Sequence, residues 1–339
     1  MKKLLCLLLT VAVLLSGCAV LPQKEEKQYK LLAVEKVNLL YNLLTTLFII
    51  VLFGDLNNPQ KMLTDRFFIL LLTFVPIYIY TRFPSKATRF LRIVGQMSLL
   101  SYWYPDTFEF NRIFTNLDHL FAQLDLTLFG CQPALVFDQI FSSFWIREAF
   151  NLGYFAYYPM IATIVFYYFF ARNKEVERCT FILVASFYIF YIIYMFLPVA
   201  GPQFYFPVID ASLVAAGPYP EIGNYFNLHP EISIAQEGEG GLFTRLVGMA
   251  QASGERPTAA FPSSHIGIST VIMLLAIRAK RGLALALAPF YLLLCCATVY
   301  IKAHYLVDAF AGVVTGVLFY CLTAWIFDRY MAEKNSVSC

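Results

Sequence analysis

The residues of this chain that can do chemistry are few and closely grouped. It has four histidines, His119, His229, His265 and His304. Two of them, His265 and His304, stand at the ends of long apolar segments, where an ionisable group is a candidate functional residue. His304 precedes Asp308 by four residues within Lys302-Ala303-His304-Tyr305-Leu306-Val307-Asp308. On a helix, positions i and i+4 share a face. The carboxylate is therefore expected to take a hydrogen bond from one imidazole nitrogen and leave the other as a nucleophile. His265 closes the run Ala260-Phe261-Pro262-Ser263-Ser264-His265. Pro262 opposes continuation of any preceding helix. The residues after it can therefore open a new one, whose free N–H groups suit an anion. Ser263 and Ser264 would add hydroxyls to that cradle, and His265 could protonate a leaving oxygen at its edge. Each motif alone has a plain structural reading, as a packing histidine or a helix cap. The two together are stronger, because one helical hairpin returns both histidines to the same end of a bundle.

The elements that must position these residues are membrane helices. Of 339 residues, 59% are hydrophobic and only 14% charged, against about 45–50% apolar and about 25% charged in an ordinary soluble domain. The mean hydropathy is +0.64. This composition excludes a large soluble enzyme, a disordered chain and a disulfide-rich miniprotein. Apolar runs over 37–54, 67–82, 153–171, 179–199, 264–279, 283–302 and 306–327 predict spans. Two weaker segments, 90–105 and 134–150, carry Arg92 and Arg147 and read as interfacial or re-entrant pieces. The net charge of +3 gives no nucleic-acid surface. The eight cysteines show no CxxC pair, so neither a disulfide framework nor a zinc site is expected.

Residues 1–18 read as a secretory signal: Lys2-Lys3, an apolar core of about 12 residues that is too short to span, then Leu15-Ser16-Gly17-Cys18. Its end resembles a bacterial lipobox, which would place a lipid on Cys18. The organisation expected after it is a polar linker over 19–36, N-terminal membrane helices over 37–110, a catalytic membrane domain over 111–328 and a cytoplasmic tail over 329–339. Lys61 and Arg66, then Arg172, Lys174 and Arg178, then Arg278, Lys280 and Arg281 fall in short loops of one side, with Arg329 and Lys334 in the tail. By the positive-inside rule that side is cytoplasmic. The block Arg82, Lys86, Arg89 and Arg92 lies on the opposite side and does not fit the rule. The long polar insertion 201–262 also falls outside and reads as a cover over a site at the outer face of a bacterial inner membrane.

Pro262-Ser263-Ser264-His265 followed by His304-Tyr305-x-x-Asp308 resembles the second and third signatures of the type 2 phosphatidic acid phosphatase (PAP2) superfamily. The resemblance implies an all-α integral membrane protein. Its fold would be a six-helix transmembrane core, here with one or more extra N-terminal helices. It implies that His304 attacks phosphorus to form a phosphohistidine, with Asp308 orienting it and His265 as general acid and base. Ser263, Ser264 and nearby cations would hold the phosphoryl oxygens, and neither metal nor other cofactor is required. Two signature cations are missing. Thr298 stands where the third signature has Arg, and Met249 where the first has Lys. Lys302, Arg256 and Arg245 are the candidates to replace them, although a lysine at Lys302 would also suit a membrane interface. Ala260–His265, Thr298-Val299-Tyr300 and His304-Tyr305, with Leu124–Gly130, Tyr154–Pro159 and Leu197–Pro202 upstream, resemble the inositolphosphotransferase branch, which includes inositol phosphorylceramide synthase. The expected partners are a phospholipid or lipid-phosphate substrate and the surrounding membrane lipids. The alternatives are a lipid-phosphate phosphatase, acting on phosphatidic acid or undecaprenyl pyrophosphate, and a non-catalytic transporter or scaffold.

Overall fold

A computed structural model describes residues 30–210, 213–214, 217–229 and 240–336. Cys18 and the expected signal lie outside the described residues. The chain divides into two compact units, Met1–Trp103 and Tyr104–Cys339. Among the described residues there are helices and no strands, as the apolar runs require: in hydrocarbon a segment must satisfy its own backbone groups.

The first unit contains α1 (Ala33–Val51), α2 (Pro59–Arg82) and α3 (Lys86–Ser98), each packed on the other two. Arg92 of α3 forms a fully buried bidentate pair with Glu35 of α1, at 2.7 Å from Nε and 2.6 Å from Nη2. The Arg92 exception to the charge rule is thereby accounted for, because this cation serves packing and not topology. Arg66 needs the opposite correction. Expected in a cytoplasmic loop, it is a buried residue of α2 whose Nε donates to Thr45 and whose Nη1 donates to Tyr102.

Helix α4 (Leu100–Asn111) is followed by α5 (Asp118–Phe129) and α6 (Pro133–Ile140), which meet at 61°. Gly130, at φ 69°, ends α5 in the left-handed conformation. Next come α7 (Phe144–Phe155) and α8 (Tyr157–Ala171), bent by 42°, and α9 (Val176–Phe196). The series ends with α10 (Leu242–Gly254), α11 (Ser264–Ala279), α12 (Arg281–Tyr300) and α13 (Leu306–Ser336). Among the described residues five helices are long and apolar enough to cross a membrane, or up to seven if each bent pair is one span. Neither weak segment is a continuous helix: 90–105 runs from α3 into α4, and 134–150 is broken between α6 and α7. The insertion 201–262 is not simply a polar loop, since it contains α10. The end expected to be a tail is helical to Ser336.

The second unit is built around α11, which packs on α8, α9, α12 and α13. Its contact with α13 is close because of paired glycines. A Cβ on Gly312 would lie 2.7 Å from the Ser263 carbonyl, and one on Gly316 would lie 2.5 Å from that of Gly267. Small residues spaced by four let membrane helices approach to backbone contact. This contact holds the start of α11 against the start of α13, the two places where the candidate chemistry lies. Outward faces carry large apolar side chains, including Phe310, Val314, Leu318 and Trp325 on α13.

Candidate active site

His304 lies in the short turn between α12 and α13, not on a helix with Asp308. The helix begins only at Leu306, because the Asp125 carboxylate of α5 accepts from the Leu306 and Val307 amides at 2.8 and 3.0 Å. An anion at a helix N-terminus satisfies otherwise unpaired donors. The His304 amide donates to the Thr298 carbonyl at 3.0 Å. Its Nδ1 lies 2.8 Å from the Ala260 carbonyl oxygen. A carbonyl only accepts, so Nδ1 carries the proton and Nε2 keeps its lone pair. This corrects the expected role of Asp308, whose Oδ2 is 3.6 Å from Nδ1 and outside hydrogen-bond range. Asp308 instead accepts from the Tyr305 amide at 2.9 Å, and its carbonyl accepts from the Ser263 amide at 3.1 Å. It therefore ties the two histidine motifs together and leaves a carboxylate near the imidazole. Burial lowers the His304 pKa to about 4, so the ring is neutral at pH 7.

His265 sits in the first turn of α11. Its ring lies between Tyr154 and Tyr157, each with a centroid 4.6 Å away, and 5.8 Å from the His304 ring. Ser263 is the N-cap, its hydroxyl accepting from the Ile266 amide, and it is fully buried. Ser264 lines the pocket. The pocket is walled by both histidines, Tyr104, Tyr154, Gln203, Glu255, Arg256 and the stretch Thr258–Ala260. Of the two serines, Ser264 is therefore at the pocket, and Ser263 is buried and does not line it.

The three candidate cations separate clearly. Arg256 lines the pocket. Lys302 does not: its Nζ pairs with Asp138 at 2.9 Å, from a backbone at φ 65°. Arg245 is exposed on α10, with its Nε directed to the Gly241 carbonyl. Thr298, in the place of the signature arginine, is fully buried in α12, and Met249 is exposed outside the pocket.

Two groups missed in the sequence help to shape the site. Fully buried Asp118 accepts from the Ala200 and Gly201 amides at 2.7 Å each, from Asn116 Nδ2 at 2.6 Å and from the Tyr305 hydroxyl at 3.0 Å. Gly201 has φ 99°, and a Cβ there would meet the Ala303 carbonyl at 2.6 Å, so the loop beside the pocket requires glycine. Glu255 is the other. In the sequence Asp118 stands beside His119 and Glu255 beside Arg256, and neither acid belongs to a motif.

The fold and the pocket are those of an all-helical membrane protein with two histidines, one of fixed tautomer, facing one pocket. The family model of the PAP2 superfamily matches residues 119–322, more than half of the chain. The protein belongs to that superfamily, whose members are phosphatases and phosphotransferases acting on lipid phosphates. No significant match was found among curated proteins or among solved structures.

Proposed function

We propose that the protein transfers a phosphoryl-bearing head group from a phospholipid to an acceptor hydroxyl through a phosphohistidine on His304. The observation that carries this reading is the His304 imidazole, with Nδ1 held by Ala260 and the His265 ring 5.8 Å away across the same pocket. In the first step Nε2 of His304 attacks phosphorus, the P–N bond forms and the bond to the leaving lipid oxygen breaks. Protonated His265 gives its proton to that oxygen. In the second step His265 takes a proton from the acceptor hydroxyl, the new P–O bond forms and the P–N bond breaks. Dividing one difficult displacement in two lowers each barrier. The phosphorylated imidazole is cationic, and the Asp308 carboxylate 3.6 Å from Nδ1 favours that charge.

Among the described residues Arg256 is the only Lys or Arg lining the pocket. One cation suits the single charge of a phosphodiester better than the double charge of a phosphomonoester, which favours head-group transfer over removal of a terminal phosphate. Together with the resemblance in the motifs, this supports a phosphoinositol-bearing donor. The cationic helix ends and tail, with Arg178 paired to Asp328 and Arg278 to Glu175, lie at the end of α8, α9, α11 and α12 away from the histidines. By the positive-inside rule this supports a site open to the outer face.

The test is product analysis by mass spectrometry on purified protein in mixed lipids. Phosphatidylinositol and phosphatidic acid serve as donors, ceramide and diacylglycerol as acceptors, and His304→Ala as the blank. A new phosphoinositol lipid that is absent from the blank is expected. Inorganic phosphate released without a new lipid would make water the acceptor and the protein a phosphatase. Full turnover by His304→Ala would remove the phosphohistidine altogether.

A further inference from the structure

A pocket built for a phosphoryl group contains a carboxyl group, and this needs a physical account. Glu255 follows the last turn of α10 and lines the pocket with both histidines and Arg256. Its two oxygens are held separately. Tyr154 donates its hydroxyl to Oε1 at 2.9 Å, and Gln203 donates Nε2 to Oε2 at 3.0 Å. Gln251 donates in turn to Gln203 Oε1 at 3.3 Å, which fixes the Gln203 amide with its NH2 toward Glu255. The Tyr154 ring that holds Glu255 also stacks on His265. The carboxyl is therefore a positioned part of the site. An ionised carboxylate there would repel the phosphoryl oxygens at a distance where Arg256 alone must attract them.

We propose that Glu255 serves the pocket as a neutral carboxylic acid, donating its O–H hydrogen bond to a nonbridging phosphoryl oxygen and so replacing one of the cations missing from the signatures. The inference rests on the phosphoryl-transfer reading of the same pocket. No proton changes hands in this contact: the acid hydrogen stays on Glu255 while the P–O and P–N bonds exchange at His304. Burial supports it by raising the Glu255 pKa, against the lowering effect of the hydrogen bonds from Tyr154, Gln203 and Gln251. The titratable or charged groups around Glu255 are Tyr104, Tyr154, Tyr158, Arg256, His265 and His304. Among them Arg256 is the only permanent cation. A bound phosphoryl group adds negative charge and favours the protonated acid further.

The experiment measures orthovanadate binding by calorimetry on the full-length protein in detergent from pH 6 to pH 9. It compares wild type with Glu255→Gln, Tyr154→Phe and His304→Ala. Glutamine keeps an N–H donor and cannot ionise, and vanadate's own ionisation cancels in the ratio of the two affinities. At pH 6 wild type is expected to bind as tightly as Glu255→Gln, and wherever Glu255 loses its proton the wild-type-to-Gln affinity ratio falls, by roughly ten- to a hundredfold when the loss is complete, the scale of one hydrogen bond to a charged group. Tyr154→Phe keeps the ring on His265 but removes a bond that favours the ionised acid, so it should move any fall to higher pH. This second variant carries the test if Glu255→Gln fails to fold. Wild type binding at least roughly tenfold more weakly than Glu255→Gln already at pH 6, a ratio that rises with pH, or a fall that Tyr154→Phe does not move would overturn the role of Glu255. His304→Ala separates the two levels. Vanadate binding that survives in it, or is absent from wild type, removes the phosphohistidine reading and the Glu255 inference with it. Loss in His304→Ala with wild type weaker than Glu255→Gln across the whole range removes the inference alone.

Discussion

Replacing Asp118 by asparagine keeps the shape of the side chain and removes the charge, and the outcome can be worked out from its partners. Oδ2 accepts from Asn116 and the Ala200 amide, and Oδ1 from the Gly201 amide and Tyr305. An asparagine must place its NH2 on one of these sides. There it faces a backbone N–H, which cannot turn round to accept. At least one buried donor is orphaned, at a cost of about 1–3 kcal/mol. The remaining bonds lose their charge assistance, roughly another 1–3 kcal/mol in sum. Relief from burying an ion offsets part of this. The net loss is on the order of 2–4 kcal/mol, which at about 2–4 °C per kcal/mol lowers the melting temperature by roughly 5–15 °C. Thermal unfolding in detergent, followed by size exclusion, reads this directly. The control is Asp328→Asn, the same chemical change in a carboxylate that is 60% exposed in its pair with Arg178; it should cost less than about 1 kcal/mol. Turnover should fall in Asp118→Asn as well, because Tyr305 adjoins His304. A melting temperature equal to that of the Asp328 variant would refute the reasoning that Asp118 closes the loop under the site.

The candidate cations and the nucleophile give two further expectations. Arg256→Ala should lower kcat/KM by roughly ten- to a hundredfold, the scale of a lost charge-assisted hydrogen bond. Lys302→Ala should stay within about threefold, because its charge is taken up by Asp138 in a half-exposed pair away from the pocket, and such a pair contributes little; steady-state kinetics on the reconstituted protein decides between them. The pH profile depends on His304, whose pKa is lowered to about 4 by burial. The neutral ring is the nucleophile, so activity should be retained as pH falls through 6.5 and be lost only toward pH 4. The sign for stability is the same. The unfolded chain takes a proton near pH 6.5 that the folded site refuses, so stability present above 6.5 declines as pH drops from there toward 4. An acid limb of kcat/KM near 6.5 that His265→Gln does not move would contradict the buried, carbonyl-held imidazole.

The membrane helices were legible because a span must be apolar along its whole length, and the seven strong runs recur as helices or as one limb of a bent pair. The histidine motifs were legible because each is contiguous. What the sequence hid is where short segments stop and what closes over them. Four-residue spacing placed His304 and Asp308 on one helix face, but Asp125, almost two hundred residues earlier, caps that helix at Leu306 and leaves His304 in a turn. There the Ala260 carbonyl can reach its Nδ1, a backbone partner that no residue type announces. The cations follow the same logic. Lys302 is two residues from His304 in the chain, yet its left-handed backbone and the Asp138 carboxylate take its charge elsewhere. Arg256 lies much further away in sequence and lines the pocket. Proximity along the chain carries information within a helix, where the backbone repeats. At such a site the partner of each charge is set by which loop closes over it, and that closure depends on acids such as Asp118, which accepts from the Ala200 and Gly201 amides 82 and 83 residues further along the chain.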